Sequence, residues 1–445
     1  MATPDTVRYS TNPTEAVSAE TELVIFRSEL ADYNPSSNKF IRINLPVADK
    51  GFVDWSDSVI SMDFTNRSHN SSSGNATHSG AKTQMNNLIK SVTILNSQNE
   101  QVEYINNYNL ISNLMDDYSY GPEHKKSVEQ ILNGGSTDGN PANATAIAGT
   151  AGTSEADGGS LTMVDRLMTG FTSGSFLVPL GFSIGQSPAI LIELETPATA
   201  LALTGNGGNF ANLVAAYKVS NVQLRAKVVK FSDAFNQSFE QTLAEAGSVG
   251  INYISESFLH NQNTINANAV GSVNVPFSSN PRSAKYIMAC HRIEGDVQSL
   301  EKFSLGVRKS ANIDEYSFEI GGRLYPTQPI PLSATNYSQA YANVLDALGV
   351  IGAINHNTMI TKDTTNTEFF HATDDCKYLS ALTLEDFNSA TNPSIYSGAN
   401  LSTMGVMNYR PKIASAINST YRVDIFTSID VSYHFTIDGR FYSVR

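Results

Sequence analysis

The sequence predicts an all-β protein built from two consecutive β-sandwiches, with a few short helices and long polar loops. Composition is the first observation. Only 16% of the 445 residues are charged, whereas Asn, Ser and Thr together supply about 29%, against about 25% charged in ordinary soluble proteins. Helical proteins cover their solvent faces with Glu, Lys and Arg, while short polar side chains favour strands, caps and turns. Aromatic content is the second observation: 19 Tyr and 21 Phe accompany a single Trp, Trp55, and 30 Gly. The third is fourteen compact or alternating apolar runs broken by turn residues, too many for one sandwich.

In chain order these runs occupy 22–26, 40–45, 59–64, 89–95, 102–105, 176–180 and 189–194, then 217–231, 251–259, 270–277, 285–289, 316–325, 378–384 and 421–444. Runs of four to eight residues bounded by Gly, Asn, Asp and Pro are the strand signature. The run 217–231 puts Val222, Leu224, Ala226 and Val228 on one face and Val219 on the opposite phase. A bulge near Ser220-Asn221 reconciles them. Residues 315–325 alternate up to Gly321-Gly322 and resume before Pro326. At the C-terminus, Asp438-Gly439 between strand-like flanks predicts a hairpin with a two-residue type I′ turn.

Helical spacing is confined to four segments. Leu110, Ile111 and Leu114 mark 107–118, and Pro122-Glu123 opens 122–132 with residues suited to a first turn. Tyr337, Tyr341, Val344 and Leu348 form a stripe over 334–348. The fourth helix, 233–246, stops at Gly247 near the midpoint of the chain. Its Phe235, Phe239 and Leu243 recur at i, i+4 and i+8, an apolar stripe that a flexible tether would not need. These three residues are the expected structural junction, packed against a sandwich and fixing the orientation of the two halves. The division is therefore 1–232, a linker helix 233–248, and 249–445.

Two segments, 66–83 and 133–160, hold almost no large apolar side chain and are expected as surface loops. The stretches 348–375 and 388–407 are their less barren counterparts in the second half.

A net charge of −13 and no Lys/Arg run longer than two argue against nucleic acid held on a basic face. Two cysteines, Cys290 and Cys376, exclude a disulfide scaffold. The opening MATPDTVRYS has neither a basic nor an apolar leader region, and no stretch approaches the ~20 apolar residues of a membrane span. Synthesis in a reducing, cytosol-like compartment is expected.

Motifs for chemistry are sparse. In the segment 74–83, GNATHSGAKT, Ala81 separates the second Gly from Lys82, so a phosphate loop is disfavoured. Gly205, Gly207 and Gly208 lack a surrounding βαβ unit. Cys290-His291 and His371…Cys376 could form a Cys2His2 site if the fold joined them, but a buried Cys acting as a small hydrophobe is the ordinary case. No nucleophile elbow exists. The eight N-x-S/T sites match the number that chance supplies. No cofactor, metal or catalytic residue is expected.

The order of segments resembles the double jelly-roll major capsid proteins of tailless icosahedral DNA viruses, the adenovirus and tectivirus lineage, and in texture those of polinton-like viruses and virophages. NNLIKSVTILNSQNEQVEYINNYNLI (86–111) is similar to the middle of a first roll, and AAYKVSNVQLRAKVVKF (215–231) to its last strand leading into a linker helix. INYISESF (251–258), EYSFEIGGRLYPTQPI (315–330) and YRVDIFTSIDVSYHFTIDGRFYSV (421–444) are similar to the opening strand, a hairpin and the closing strands of a second roll. The resemblance implies two eight-stranded jelly rolls side by side, and a structural, non-enzymatic subunit of the virion capsid. It implies a homotrimer forming a pseudo-hexagonal capsomer, with neighbouring capsomers, penton and minor capsid proteins as partners. It implies no sequence-specific contact to nucleic acid and leaves an internal membrane open. Two other classes fit an all-β chain: an attachment or carbohydrate-binding protein, with aromatic clusters at its loop tips, and a glycan-active enzyme, with paired carboxylates in a cleft.

Overall fold

The computed structural model describes residues 19–445, excepting 49, 72–79, 125–126, 129, 134–145, 149–154, 174–175, 184–186, 204–209, 211, 248–249, 334, 351–357, 359, 361–367, 372–373, 386–395 and 437. Eight principal strands form the first half: β1 (Ala19–Arg27), β2 (Phe40–Asn44), β3 (Phe52–Asn66), β4 (Ile89–Leu95), β5 (Gln101–Asn106), β6 (Ser160–Asp165), β7 (Ala189–Leu194) and β8 (Tyr217–Phe231). They pair antiparallel in two sheets, β1-β8-β3-β6 and β2-β7-β4-β5.

The second half repeats the arrangement with β9 (Ile251–Ile265), β10 (Val275–Phe277), β11 (Ala284–Ile293), β12 (Ile313–Ile320), β13 (Arg323–Pro331), β14 (Ser380–Thr383), β15 (Met407–Ile413) and β16 (Tyr421–Phe435). Its sheets are β9-β16-β11-β14 and β10-β15-β12-β13. A further strand, β17 (Phe441–Val444), pairs with the end of β16. In both halves the first strand neighbours the eighth, the second the seventh, the third the sixth and the fourth the fifth. That pairing is one long antiparallel hairpin wrapped into two sheets. Each half is thus an eight-stranded jelly roll.

Alternation along the strands explains the core. In β8, Val219, Val222, Leu224, Ala226 and Val228 are all buried, because the register slips between Ser220 and Gln223 and Asn221 takes φ 51°. The bulge expected at this point carries Val219 onto the core face. Gly321 and Gly322, at φ 58° and 78°, form the two-residue turn joining Ile320 to Arg323. At the C-terminus the connection is longer than expected. Phe435 pairs with Phe441, the Thr436 N–H donates to the Arg440 carbonyl, and only a five-residue loop containing Gly439 (φ 71°) fits that register.

The longer helices are α1 (Tyr108–Ser119), α2 (Asp233–Ala246) and α3 (Ser338–Ala347), of which α2 alone has a side-chain N-cap. The Ser232 hydroxyl accepts the Phe235 N–H, Asp233 lies in the first turn of α2, and Gly247 ends it at φ 58°. α3 begins later than its stripe because the Ser333 hydroxyl accepts the Thr335 and Asn336 N–H groups in a turn. Over 122–132 the described helical pieces are Pro122–His124 and Gln130–Asn133.

The polar segments 66–83 and 133–160 are not simple surface excursions where they are described. Ala81 and Ile147 exchange both backbone hydrogen bonds, the Asn66 side chain donates to the Ile147 carbonyl at 2.8 Å, and Asn66, Ser68, Ala81 and Thr83 are buried. Backbone pairing supplies what apolar burial does not. The remainder of both loops, including 72–79 of the glycine-rich motif, lies outside the described residues.

Candidate functional site: the seam between the two rolls

β5 is the last strand of its sheet, so its outer edge needs a cover. The C-terminal strand of the second roll provides it. The Val102 carbonyl accepts from the Ser443 hydroxyl and the Arg445 guanidinium, the latter at 2.9 Å. The Asn96 amide donates to the Phe441 carbonyl at 3.0 Å, and Arg440 pairs with Glu100 at 2.9 Å. Rings close the gap: Phe171 lies 5.5 Å from Phe441 and 6.0 Å from Tyr433, and Phe176 lies 5.5 Å from Tyr253.

Three buried carboxylates span this seam. Glu103 of β5 accepts the Gly170 and Phe171 N–H groups at 2.8 and 3.1 Å, and the Ser257 hydroxyl of β9 from the other roll. Asp117 of α1 meets Arg308 at 2.8 Å and the Lys377 ammonium at 2.9 Å, both from the second roll. Beside it, the Tyr118 hydroxyl donates to the Lys377 carbonyl at 2.9 Å. Asp424 of β16 accepts Arg292 at 2.7 Å, His260 at 2.9 Å and the first roll's Asn107 at 3.3 Å.

Their electrostatics follow from these partners. Burial pushes the Asp117 carboxyl up, but Lys377 and Arg308 together hold it below the usual range. Burial also acts against ionised Asp424, and Arg292, followed by His260 and Arg422, outweighs it and leaves the carboxyl well below the aspartate range. All three acids are at least nine-tenths buried. Such pairs add little net stability over an apolar contact, yet breaking one strands a buried charge. The seam therefore favours one orientation of the rolls and penalises alternatives.

The expected junction residues lie elsewhere. Phe239 of α2 is half-buried, with its ring 5.0 Å from Phe52 and 5.0 Å from Phe182. Phe235 contacts Phe231 at 4.3 Å and Phe52 at 6.0 Å but is 38% exposed, whereas Leu243 is buried. All of these ring partners belong to the first roll. After α2 the chain re-enters at Gly250 (φ 69°), where a Cβ would stand 2.0 Å from the Phe435 carbonyl oxygen. Only glycine fits so close an approach.

The Cys/His clusters are neighbours, since the 308–309 segment bridges His291 on one side and Cys376 on the other. Cys290, His291 and Cys376 are nonetheless buried in the core, while His371 is only partly buried and pairs with the exposed Asp374. Burial pushes the Cys290 thiol up to about 12. His291 is sandwiched between Tyr378 and Tyr409 at 5.9 and 5.6 Å, and burial lowers it to about 3. Among the described residues no group of three or more His, Cys, Asp or Glu is arranged to hold a metal.

Neither a protein-family model nor a curated protein matches the chain by sequence. Solved structures do match. PBCV-1 VP54, as fitted into a reconstruction of the virophage Sputnik, superposes with a TM-score of 0.62 at 8% identity, covering 98% of this chain and 99% of that one. The Faustovirus major capsid protein gives 0.60 at 10% identity, with 95% and 92% covered. The mavirus major capsid protein gives 0.50 at 11% identity, with 100% and 95% covered. The chain has the double jelly-roll fold of viral major capsid proteins. Both rolls of this double jelly roll, together with the seam that joins them, fall within the matched length.

Sequence reasoning missed the seam residues. Glu103, Asn107, Asp117 and Asp424 look like ordinary polar positions on strands and a helix, and their partners across the seam are 153 to 317 residues away.

Proposed function

We propose that this chain is a viral major capsid protein, a structural subunit of an icosahedral shell in the virion. The observation that carries this reading is the two-way coverage of the capsid proteins by a chain whose two rolls are locked by a buried polar seam. Two rigidly joined rolls per chain supply two sides of a hexagon, and three copies close it through repeated heterologous contacts. Neighbouring capsomers, penton and minor capsid proteins are the partners of such a ring. Within the subunit, the first roll is 1–232, the linker 233–248 and the second roll 249–445. Phe235, Phe239 and Leu243 anchor the linker.

Mass photometry of the purified protein tests the assembly. Three chains of 48.1 kDa give a trimer of about 144 kDa, held by interfaces above the ~1,000 Å² expected of a biological contact. Monomers alone at micromolar concentration would count against it.

A further inference from the structure

Within the chain, the fifth strand of the first roll, β5, packs on the first strand of the second, β9. There Glu103 accepts from the Ser257 hydroxyl, and both side chains are buried. The reciprocal pair, the first strand of the first roll and the fifth of the second, is open. Among the described residues β1 pairs with β8 alone, and Leu23 and Ile25 on its outer face are 56% and 49% exposed. β13 ends its sheet, and its Tyr325 is 38% exposed. An edge strand that carries two large exposed apolar side chains and no proline lacks the devices that protect open edges. The pairing registers relate the open strands to the covered ones. Ala19 and Ile251 pair with the last residues of β8 and β16, Phe231 and Phe435, so Ile25 corresponds to Ser257. Glu103 lies opposite Ile94, and Tyr325 lies opposite Phe318; each is the third residue of its strand. Tyr325 therefore corresponds to Glu103. The buried polar contact of the seam thus has an exposed, apolar equivalent on β1 and β13.

We infer that a second copy of this chain packs its β13 on the outer face of β1, with Tyr325 of the second copy seated on Leu23 and Ile25, repeating between chains the contact that Glu103 and Ser257 make within one. The charges agree with this pairing. β5 and β9 run in the same direction, since Glu103 meets Ser257 and Asn107 meets His260. The equivalent contact brings the starts of β1 and β13 together, where Glu20 and Glu22 of one copy stand exposed opposite the exposed Arg323 of the other. Pro326, Pro329 and Pro331 bar β13 from adding to β1 through backbone hydrogen bonds, so side chains make the contact. Around a closed ring each roll then meets the next through the same two strands, alternately within a chain and between chains. The inference rests on the proposed assembly and names the surfaces that build it.

Site-directed crosslinking of the full chain tests it. The native thiols, Cys290 and Cys376, are buried and do not compete with introduced ones. The double variant Ile25→Cys/Tyr325→Cys, treated with a short bismaleimide, should give covalent dimer and trimer on a denaturing gel, whereas either single variant should stay monomeric there. Ile25→Asp should lower the trimer fraction seen by mass photometry at micromolar concentration by roughly tenfold and leave the far-ultraviolet circular dichroism unchanged, because Ile25 is exposed in the single chain. Trimers that form without crosslinking through these two positions, or that persist in Ile25→Asp, would overturn the inference and leave the proposed assembly standing, with something else covering β1. An unsubstituted chain that is monomeric throughout would remove the assembly, and the inference with it.

Discussion

Asp117 of the first roll and Arg308 of the second stand 2.8 Å apart with both side chains buried, although 191 residues separate them in the chain. Lys377 joins the same carboxylate from the other side at 2.9 Å. Two cations thus depend on one acid for neutralisation across the seam.

Asp117→Ala should therefore destabilise the protein by about 3–5 kcal/mol, because it leaves two buried cations unpaired rather than merely deleting a contact. Replacing all three residues by apolar ones of similar volume should recover most of that loss. Denaturant unfolding of the two variants checks both expectations. If Asp117→Ala alone is neutral, the pair does not hold the rolls together.

Stability should fall with acid in two stages. His291 binds no proton in the folded state until about pH 3, while an unfolded histidine titrates near 6.5. The unfolded chain thus holds more protons between these values, and stability should decline as pH falls below about 6.5, by up to about 1.4 kcal/mol per unit. Asp117 and Asp424 have lowered folded values, so their contribution is complete above the unfolded aspartate value near 3.9 and is lost only as pH falls below it. Unfolding free energies measured from pH 7 to pH 3 should show the first slope reduced in His291→Phe and the second retained.

Much of the fold was legible because alternation marks a strand that buries one face. β4, β7, β8 and the β12–β13 hairpin follow their runs closely. β15 was not, since Pro411 interrupts MNYRPKI and reads as a breaker. β16 shows the other failure. Asp424, Thr427, Ser428, Asp430 and Ser432 are all buried, yet their polarity reads as a solvent face. Along this strand the Asp424, Ser428, Asp430 and Ser432 side chains meet partners instead of water, as Asp424 meets Asn107 of the other roll. Local pattern cannot supply a partner three hundred residues distant. The α2 helix was legible because its stripe and its stop at Gly247 are both local.

Phe239→Ala should cost about 1–3 kcal/mol, below the 3–5 kcal/mol of a fully buried Phe, because its ring is half-buried against Phe52 and Phe182. The loss should fall on the first roll and leave the angle between the rolls unchanged. Thermal unfolding and small-angle scattering of the variant check the two parts. A changed scattering envelope would make α2, rather than the seam, the element that sets orientation.

On the proposed function, two locked rolls make one third of a capsomer. Negative-stain electron microscopy of the purified full chain tests it most directly. Particles of hexagonal outline, each containing three copies, are expected. A field of separate two-lobed monomers at micromolar concentration would contradict it.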